Sequence, residues 1–330
     1  MRIYLAGIYH SGRSGAAKNS TSIHLRVTSK YIYPWVLESF HYVDTPMVAA
    51  IRRNKQKVFM DSGAFSMFTS KVKVDLKKYA SFVQRHQDII HVASNLDMIG
   101  KGHEQETYDR QKYLENLLGR GFINPVHHVR DHDDWLKRYL DEGYDYIFLG
   151  GMVPESTPVL MQWLDHIWHY FLTNPDGTAK IKVHGFGLTT NSLIFRYPWY
   201  SVDSTSWVMS STFGSMMMDF PQLDSSIKDY KIDFSERSNK RYDQNSWHFN
   251  SLKLDEQEIV LARLAELETE RVKDPIVEAA FEKELGCPLG FNPQALGKSY
   301  GMRDIGNMEY WRRAMDRRVD RFVRKQDTLF

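Results

Sequence analysis

YIFLGGMVPESTPVLMQWLDHIWHYFL, residues 146–172, decides the fold. Its first six residues are a short apolar run ending in paired glycines, the pattern of a strand running into a turn. Ser156 then opens a helical segment with Pro158 in its first turn, where proline is tolerated. The same strand–helix unit recurs on both sides. KVFMD (57–61), HVASNLD (91–97), INPVHHV (123–129), KVHGFG (182–187) and YSVDSTSW (200–207) read as strands, and an earlier one lies in IYLAG (3–7) or IHLRV (23–27). Between them, DLKKYASFVQRHQDI (75–89) sets Leu76, Tyr79, Phe82 and Val83 on one helical face. EQETYDRQKYLENLLGRG (104–121) ends at a glycine, and DHDDWLKRYLDEG (131–143) opens with capping aspartates and ends the same way.

This alternation predicts a parallel sheet. Seven or so units favour an α/β fold of the (β/α)8 barrel type, with an open doubly wound sheet as the rival. GSMMMDF (214–220) and YKIDF (230–234) are the candidates for an eighth strand. Such a barrel takes about 250 residues, and the chain has 330. The expected division is a catalytic barrel over 1–235 and a mostly helical, basic extension over 236–330 packed on it. In that extension LDEQEIVLARLAELETERV (254–272) reads as a helix with Asp255 as N-cap and Glu258 as its capping-box partner. MEYWRRAMDRRVDRFVRK (308–325) spaces Met308, Trp311, Met315, Val319 and Phe322 as one apolar stripe, with arginines on the other faces.

The net charge is only +2, so any nucleic-acid surface must come from local clustering. Cys287 is the single cysteine, which excludes an internal disulfide and a cysteine-based zinc site. No segment approaches the roughly 18 apolar residues of a membrane span, and the N-terminus has no long apolar signal region. The expectation is a soluble, cytoplasmic protein without a membrane partner.

In a barrel, catalytic groups lie at the C-terminal ends of the strands. Here those ends carry Asp61-Ser62-Gly63, Asn95-Leu96-Asp97, His127-His128 and Asp203-Ser204-Thr205. Two more end Leu149-Gly150-Gly151 and His184-Gly185-Phe186-Gly187, where glycine admits a ligand close to the backbone. Taken singly, each has a plain structural reading. Asp61 is a helix N-cap as readily as an acid, and Asp97 is an ordinary loop residue. Adjacent histidines on a strand point to opposite faces, so at most one of His127 and His128 faces the interior. Repetition at successive strand ends favours function. A metal-dependent barrel hydrolase is the first alternative, but neither an HxH pair on an early strand nor HExxH is present.

These segments resemble the tRNA-guanine transglycosylases, and most of all their DNA-modifying relatives in bacteriophages and bacteria. DSGAFSMF is similar to that family's DSGGFQ motif, LGGMVPES to its GGLxxGE loop and VHGFG to its MGVG segment. NLDMIG falls where the family carries its base-recognising aspartate, and SVDSTSW where it carries FDCV. All five occur in family order over about residues 58–207. The resemblance implies a (β/α)8 barrel that exchanges guanine for a 7-deazaguanine such as preQ0, with no cofactor. Asp203 is then the nucleophile at C1′ and Asp61 the general acid/base. Asp97, with Ser62 and Gly63, binds the base, and Phe65 and His184 sandwich its ring. Amides near Gly150 and Gly151 bind its carbonyl, Gly185 belongs to the same base site, and His127 or His128 reads the base.

A double displacement by two carboxyls is sound chemistry at an anomeric carbon, and retaining glycosidases place theirs about 5 Å apart. Asp61 and Asp203 are therefore expected to face one another. The family's three-cysteine zinc site and the arginine after its nucleophile are missing, which favours DNA as partner over tRNA. A non-catalytic partner subunit is the remaining alternative, and oligomeric state is not readable. Candidate nucleic-acid contacts are Arg13 and Lys18 in HSGRSGAAKNS (10–20), Trp207, and Arg312, Arg317 and Arg321 in the last helix. Tyr197, Trp199 and Tyr200 are further candidates to stack a displaced base.

Overall fold

The structure is a computed structural model that describes residues 1–9, 32–64, 74–98, 100, 102–188, 190–238 and 247–323. By its internal contacts the chain divides into two units. One comprises Met1–Ala6, Pro34–Ser204 and Met315–Phe330; the other comprises Gly7–Tyr33 and Thr205–Ala314. The expected boundary at 235 thus moves to Ser204/Thr205, and the chain after Ala314 returns to the first unit.

The first unit is built on nine parallel strands: β1 (Arg2–Ala6), β2 (Trp35–Ser39), β3 (Lys57–Asp61), β4 (Ile90–Ser94), β5 (Ile123–Asn124), β6 (Val126–His128), β7 (Tyr146–Gly150), β8 (Lys182–Gly185) and β9 (Ser201–Ser204). Their order is β5-β4-β3-β2-β1-β9-β8-β7-β6. The two ends of that order are consecutive in the chain, separated by Pro125 alone. Ile123–Asn124 pair with β4, and Val126–His128 pair with β7. Proline has no N–H to give to either neighbour, and its carbonyl accepts from Phe148 N at 2.9 Å. The sheet therefore comes almost full circle, as a TIM-like parallel barrel flanked by helices. These are α1 (Thr45–Arg53), α2 (Leu76–Arg85), α3 (Glu104–Leu118), α4 (Asp133–Asp141), α5 (Thr157–Ile167) and the short α6 (Asn191–Ile194).

Side chains alternate across each strand, and the inward set packs in layers. Tyr4, Leu37, Phe59, Val92, Val126, Tyr146 and Phe148 form the middle of the barrel. Two residues further along the same strands the inward positions are Ala6, Ser39, Asp61, Ser94, His128, Gly150 and, on β9, Asp203. Polar and small residues thus gather at the C-terminal rim. At the other end the Arg2 guanidinium lies 4.8 Å from the Trp35 ring centroid and 4.7 Å from that of Tyr200, and bonds His91 Nε2 at 2.8 Å. Cation–π contacts of this kind hold a cation against an aromatic face. A hollow of about 640 Å³ beside that floor is lined by Arg2, Asp145, Lys180, Lys182 and Arg318 among others; of the candidate residues it touches only Trp199 and Tyr200, and none of the strand-end carboxylates or histidines.

The second unit carries α7 (Ser206–Thr212), the antiparallel pair β10 (Ser215–Pro221) and β11 (Ile227–Asp233), the short β12 (Trp247–His248), and helices α8 (Leu254–Glu270), α9 (Pro275–Leu285), α10 (Pro293–Lys298) and α11 (Tyr300–Ala314). The residues expected to supply an eighth barrel strand therefore form a separate hairpin. Met216, Met218, Ile232, Leu264 and Met302 sit in its core. Helix α11 is threaded through that core by Asn307, which donates to the Trp207 and Ser215 carbonyls and accepts from Met217 N. A side chain at Gly306 would sit 2.5 Å from Met216 Sδ, so the buried Met216 side chain would have to shift to admit one.

Three local expectations change. The strand Trp35–Ser39 was not foreseen. Helix α8 is closed by Glu256, whose carboxylate accepts from Lys253 N at 2.9 Å, rather than by Asp255 and Glu258. The stripe over 308–325 is not one helix: α11 ends at Ala314. Beyond it Phe322 N donates to Gly177 O at 2.9 Å, and the Phe322 ring packs 5.2 Å from Tyr197. Among the described residues no helix is long and apolar enough to cross a membrane.

Candidate active site

Asp61, Asp97 and Asp203 meet at the C-terminal rim of the barrel. Asp61 is the last residue of β3, in register with Ser39 of β2. Its carboxylate accepts from Gly63 N at 3.0 Å, a tight turn that Gly63 makes with φ of +89°. Removal from water pushes the Asp61 carboxyl up to about 7, and the charges of Asp97 and Asp203 add to the shift while the Gly63 amide opposes it. Like charges so placed favour the protonated form. A carboxyl that keeps its proton near neutrality beside two other carboxylates is equipped to act as an acid.

Asp203 lies on β9, next to β1 and β8, and is buried. Two donors converge on one of its oxygens: Gly187 N at 3.0 Å and His184 Nε2 at 3.2 Å from Oδ1. The other His184 nitrogen, Nδ1, lies 2.7 Å from Ser201 Oγ, which lies 2.6 Å from Tyr146 OH. Burial lowers the His184 pKa against the pull of Asp203. His184 is 0% exposed, with its ring 4.4 Å from Phe59 and 4.7 Å from Phe186. It therefore has no open face with which to sandwich a base. It serves Asp203 instead, and the half-buried Phe186 is the aromatic ring at this end of β8.

The two adjacent histidines separate as alternation requires. His128 points inward, with Nε2 2.8 Å from Asp97 Oδ2, and its amide donates to Asp131 Oδ2 at 2.8 Å. Burial opposes a charged His128 imidazole, yet the hydrogen bond and charge of Asp97, aided by Asp131 and Glu104, carry its pKa above the ordinary value. His127 points the other way, 6.2 Å from Trp163 of α5 and nearly parallel to it. Burial drives it down to about 3, and neither ring nitrogen has a hydrogen-bond partner among the described residues. His127 is a neutral packing residue, so only His128 belongs to the rim.

Ser62 is buried behind Asp61, with its amide donating to Ser94 Oγ at 3.0 Å. The glycines at the strand ends also stand close to neighbouring side chains. A side chain at Gly150 would lie 2.9 Å from His128 Cδ2, and one at Gly151 3.1 Å from His128 Cβ. One at Gly185 would lie 2.5 Å from Leu188 Cδ1. These glycines make room for neighbouring side chains, which sets the His128 ring against β7.

The stacking and nucleic-acid candidates are scattered over several elements. Trp207 belongs to the second unit and is 0% exposed. Tyr197 and Trp199 are buried against Trp168, and Tyr200 covers Arg2 at the opposite end of the barrel. Arg312 belongs to α11 and pairs with Glu309 at 2.8 Å. Arg317 lies beyond that helix, 5.5 Å from the Phe195 ring, and Arg321 is exposed further on. These arginines do not share one helical face. Arg13, Lys18 and Phe65 lie outside the described residues. Among the described residues no group of three or more His, Cys, Asp or Glu side chains is arranged to hold a metal ion.

Sequence reasoning gave no role to Ser201, Tyr146, Asp131 or Phe186. The signal for the first two is parity: Ser201 and Asp203 are two apart on β9 and share its inner face. Comparison with protein-family models, with curated protein sequences and with solved structures returned no match.

Proposed function

We propose that the chain is a guanine transglycosylase that exchanges guanine in DNA for a 7-deazaguanine. One arrangement carries the reading: the Asp61 and Asp203 carboxyls share one barrel rim, where burial and the neighbouring carboxylates push Asp61 up to about 7. Counting Ile123–His128 as a single strand interrupted at Pro125 gives eight strands, which supports the (β/α)8 fold that the resemblance implies.

In the proposed reaction an Asp203 oxygen attacks C1′ of the nucleotide. The glycosidic bond breaks with its electron pair on the base, and Asp61 supplies the proton. Asp61, now ionised, takes the proton from the ring nitrogen of the incoming 7-deazaguanine. That nitrogen attacks C1′, and Asp203 leaves as carboxylate. Two inversions give net retention. Asp97 is the base-recognising carboxylate, and His128 orients it. In a duplex the target nucleotide must first be turned out of the stack. The single cysteine, Cys287, cannot supply the three-cysteine zinc site of the tRNA enzymes, which supports DNA as the substrate.

The test is incorporation of labelled 7-deazaguanine bases into DNA and, in parallel, into tRNA, with Asp203→Ala as control. Label in DNA that the variant abolishes is the expected result. Label in tRNA alone keeps the chemistry and overturns the substrate. No label in either, across a full panel of bases, overturns the enzymatic reading in favour of a non-catalytic partner subunit.

A further inference from the structure

A chain of four polar groups runs up the inside of the barrel wall: Tyr146 on β7, Ser201 on β9, His184 on β8 and Asp203 on β9. The successive gaps are 2.6 Å from Tyr146 OH to Ser201 Oγ, 2.7 Å from Ser201 Oγ to His184 Nδ1 and 3.2 Å from His184 Nε2 to Asp203 Oδ1. Ser201 and His184 are fully buried, and Tyr146 nearly so. Around them stand Phe59, Phe148 and Phe186, with Tyr4 6.1 Å from the imidazole centroid. Water has little access to compete for these bonds.

Proton counting gives the chain one direction. An ionised carboxylate only accepts, so Nε2 must carry the hydrogen. The imidazole is neutral in this apolar setting, so Nδ1 is bare and accepts from the Ser201 hydroxyl. The Ser201 oxygen then accepts from Tyr146 OH. Every hydrogen in the chain then has one place, and the tautomer that Asp203 imposes on His184 is matched by the hydroxyl donor on its far side, as it is for histidines oriented by a second hydrogen bond.

We propose that His184 is a positioning residue that, through Ser201 and Tyr146, holds Asp203 in a single rotamer with Oδ1 tied down and Oδ2 as the attacking oxygen. Oδ1 takes two donors, His184 Nε2–H and Gly187 N–H at 3.0 Å. Charge is drawn toward Oδ1 and stabilised there, and Oδ2 keeps the more available lone pairs. When the bond from Oδ2 to C1′ forms, Oδ1 becomes the ester carbonyl oxygen. When that bond breaks, the two donors stand ready for the charge that returns, as preorganised donors do elsewhere. No proton moves along the chain in either step. The assignment of Oδ2 rests on the proposed transglycosylation; the tautomer and the rotamer do not.

The direct test is nitrogen-15 NMR of histidine-labelled wild-type protein at pH 7. His184, assigned by its loss in His184→Gln, should show one protonated and one bare nitrogen. The protonated nitrogen should couple to both ring carbon-bound protons, as Nε2 does. Ser201→Ala should keep the hydrogen on Nε2 but move the bare Nδ1 resonance downfield as it loses its hydrogen bond, and Ser201→Thr, which keeps the hydroxyl, should restore it. A charged imidazole, or an Nδ1–H tautomer, in the wild type overturns the proposal whether or not the protein turns over any base. If base exchange is observed, Ser201→Ala and Tyr146→Phe should each lower kcat about tenfold with KM within twofold. An unchanged kcat in both overturns the positioning role. A correct tautomer in a protein without base exchange leaves this arrangement standing and counts against the transglycosylase reading alone.

Discussion

His128 and Asp97 form a buried ion pair at the barrel rim, with 2.8 Å between Nε2 and Oδ2. The His128 imidazole also faces Asp131, whose Oδ2 lies 3.7 Å from Nδ1. Removing one partner of a buried pair leaves the other charge uncompensated. Asp97→Asn should therefore lower the His128 pKa, which histidine proton NMR reads directly. It should also lower the pKa of Asp61, because a like charge disappears from its surroundings. A His128 titration that does not move in Asp97→Asn would contradict the pairing.

Asp61 links stability to pH. Its carboxyl is raised in the fold to about 7 from an ordinary value of 3.8. Below about pH 4 both folded and unfolded chains hold the proton. As the pH climbs, the unfolded chain ionises first, and the folded one must follow against the cost of burial. Stability associated with this group is thus full at low pH and lost as pH rises through about 7. Urea midpoints measured from pH 4.5 to 8 should fall more for wild type than for Asp61→Asn. Parallel curves would place the Asp61 pKa near its ordinary value.

The same proton sets the activity profile under the proposed reaction. Asp61→Asn should cost about 10²–10⁴ in kcat, the usual range for a general acid. In wild type the alkaline limb of kcat/KM should fall near pH 7, and Asp97→Asn should move it lower. A limb unmoved by Asp97→Asn would assign it to another group.

His127 and His128 offer opposite outcomes from neighbouring positions. His127 is buried, and neither ring nitrogen has a hydrogen-bond partner among the described residues, Nδ1 standing 3.9 Å from Asp131 Oδ2; leaving such groups unbonded costs about 1–3 kcal/mol each. His127→Leu should leave activity unchanged and raise stability by roughly 1 kcal/mol, measured by urea denaturation. His128→Leu strands Asp97 and should abolish base exchange. Equal losses in both variants would mean that the strand does not split them between its faces.

Gly150→Ala places a methyl 2.9 Å from His128 Cδ2. The ring must move, and its hold on Asp97 with it. Overpacking of this kind costs about 1–3 kcal/mol. The His128 resonances should shift, and base exchange should weaken. A variant as stable as wild type, with unchanged His128 resonances, would show that the ring has slack.

Much of the barrel is legible from the chain because its strands are short apolar runs that stop at a carboxylate, a histidine or a glycine. KVFMD, HVASNLD, YIFLGG and KVHGFG all become strands or strand ends. Trp35–Ser39 escapes because Glu38 interrupts its apolar pattern, although the fold buries that residue. The residues beyond Ala314 mislead because their spacing suits a helix. The backbone bond from Phe322 to Gly177 and the packing of Phe322 on Tyr197 override that local preference. At the rim the residue types are readable, but their pairings are not. That His184 binds Asp203 and not a ligand depends on Ser201 filling the space behind it, a relation between strands β8 and β9. The glycines at 150, 151 and 185 likewise signal closeness without saying to what.

Tyr4, Phe59, Tyr146 and Phe148 fill the barrel beneath the rim, so its interior is a packed core and not a passage. In the proposed exchange the departing guanine and the arriving 7-deazaguanine therefore take the same place in turn, with the sugar left on Asp203 as the token between them. Double-reciprocal plots at several base concentrations should then run parallel.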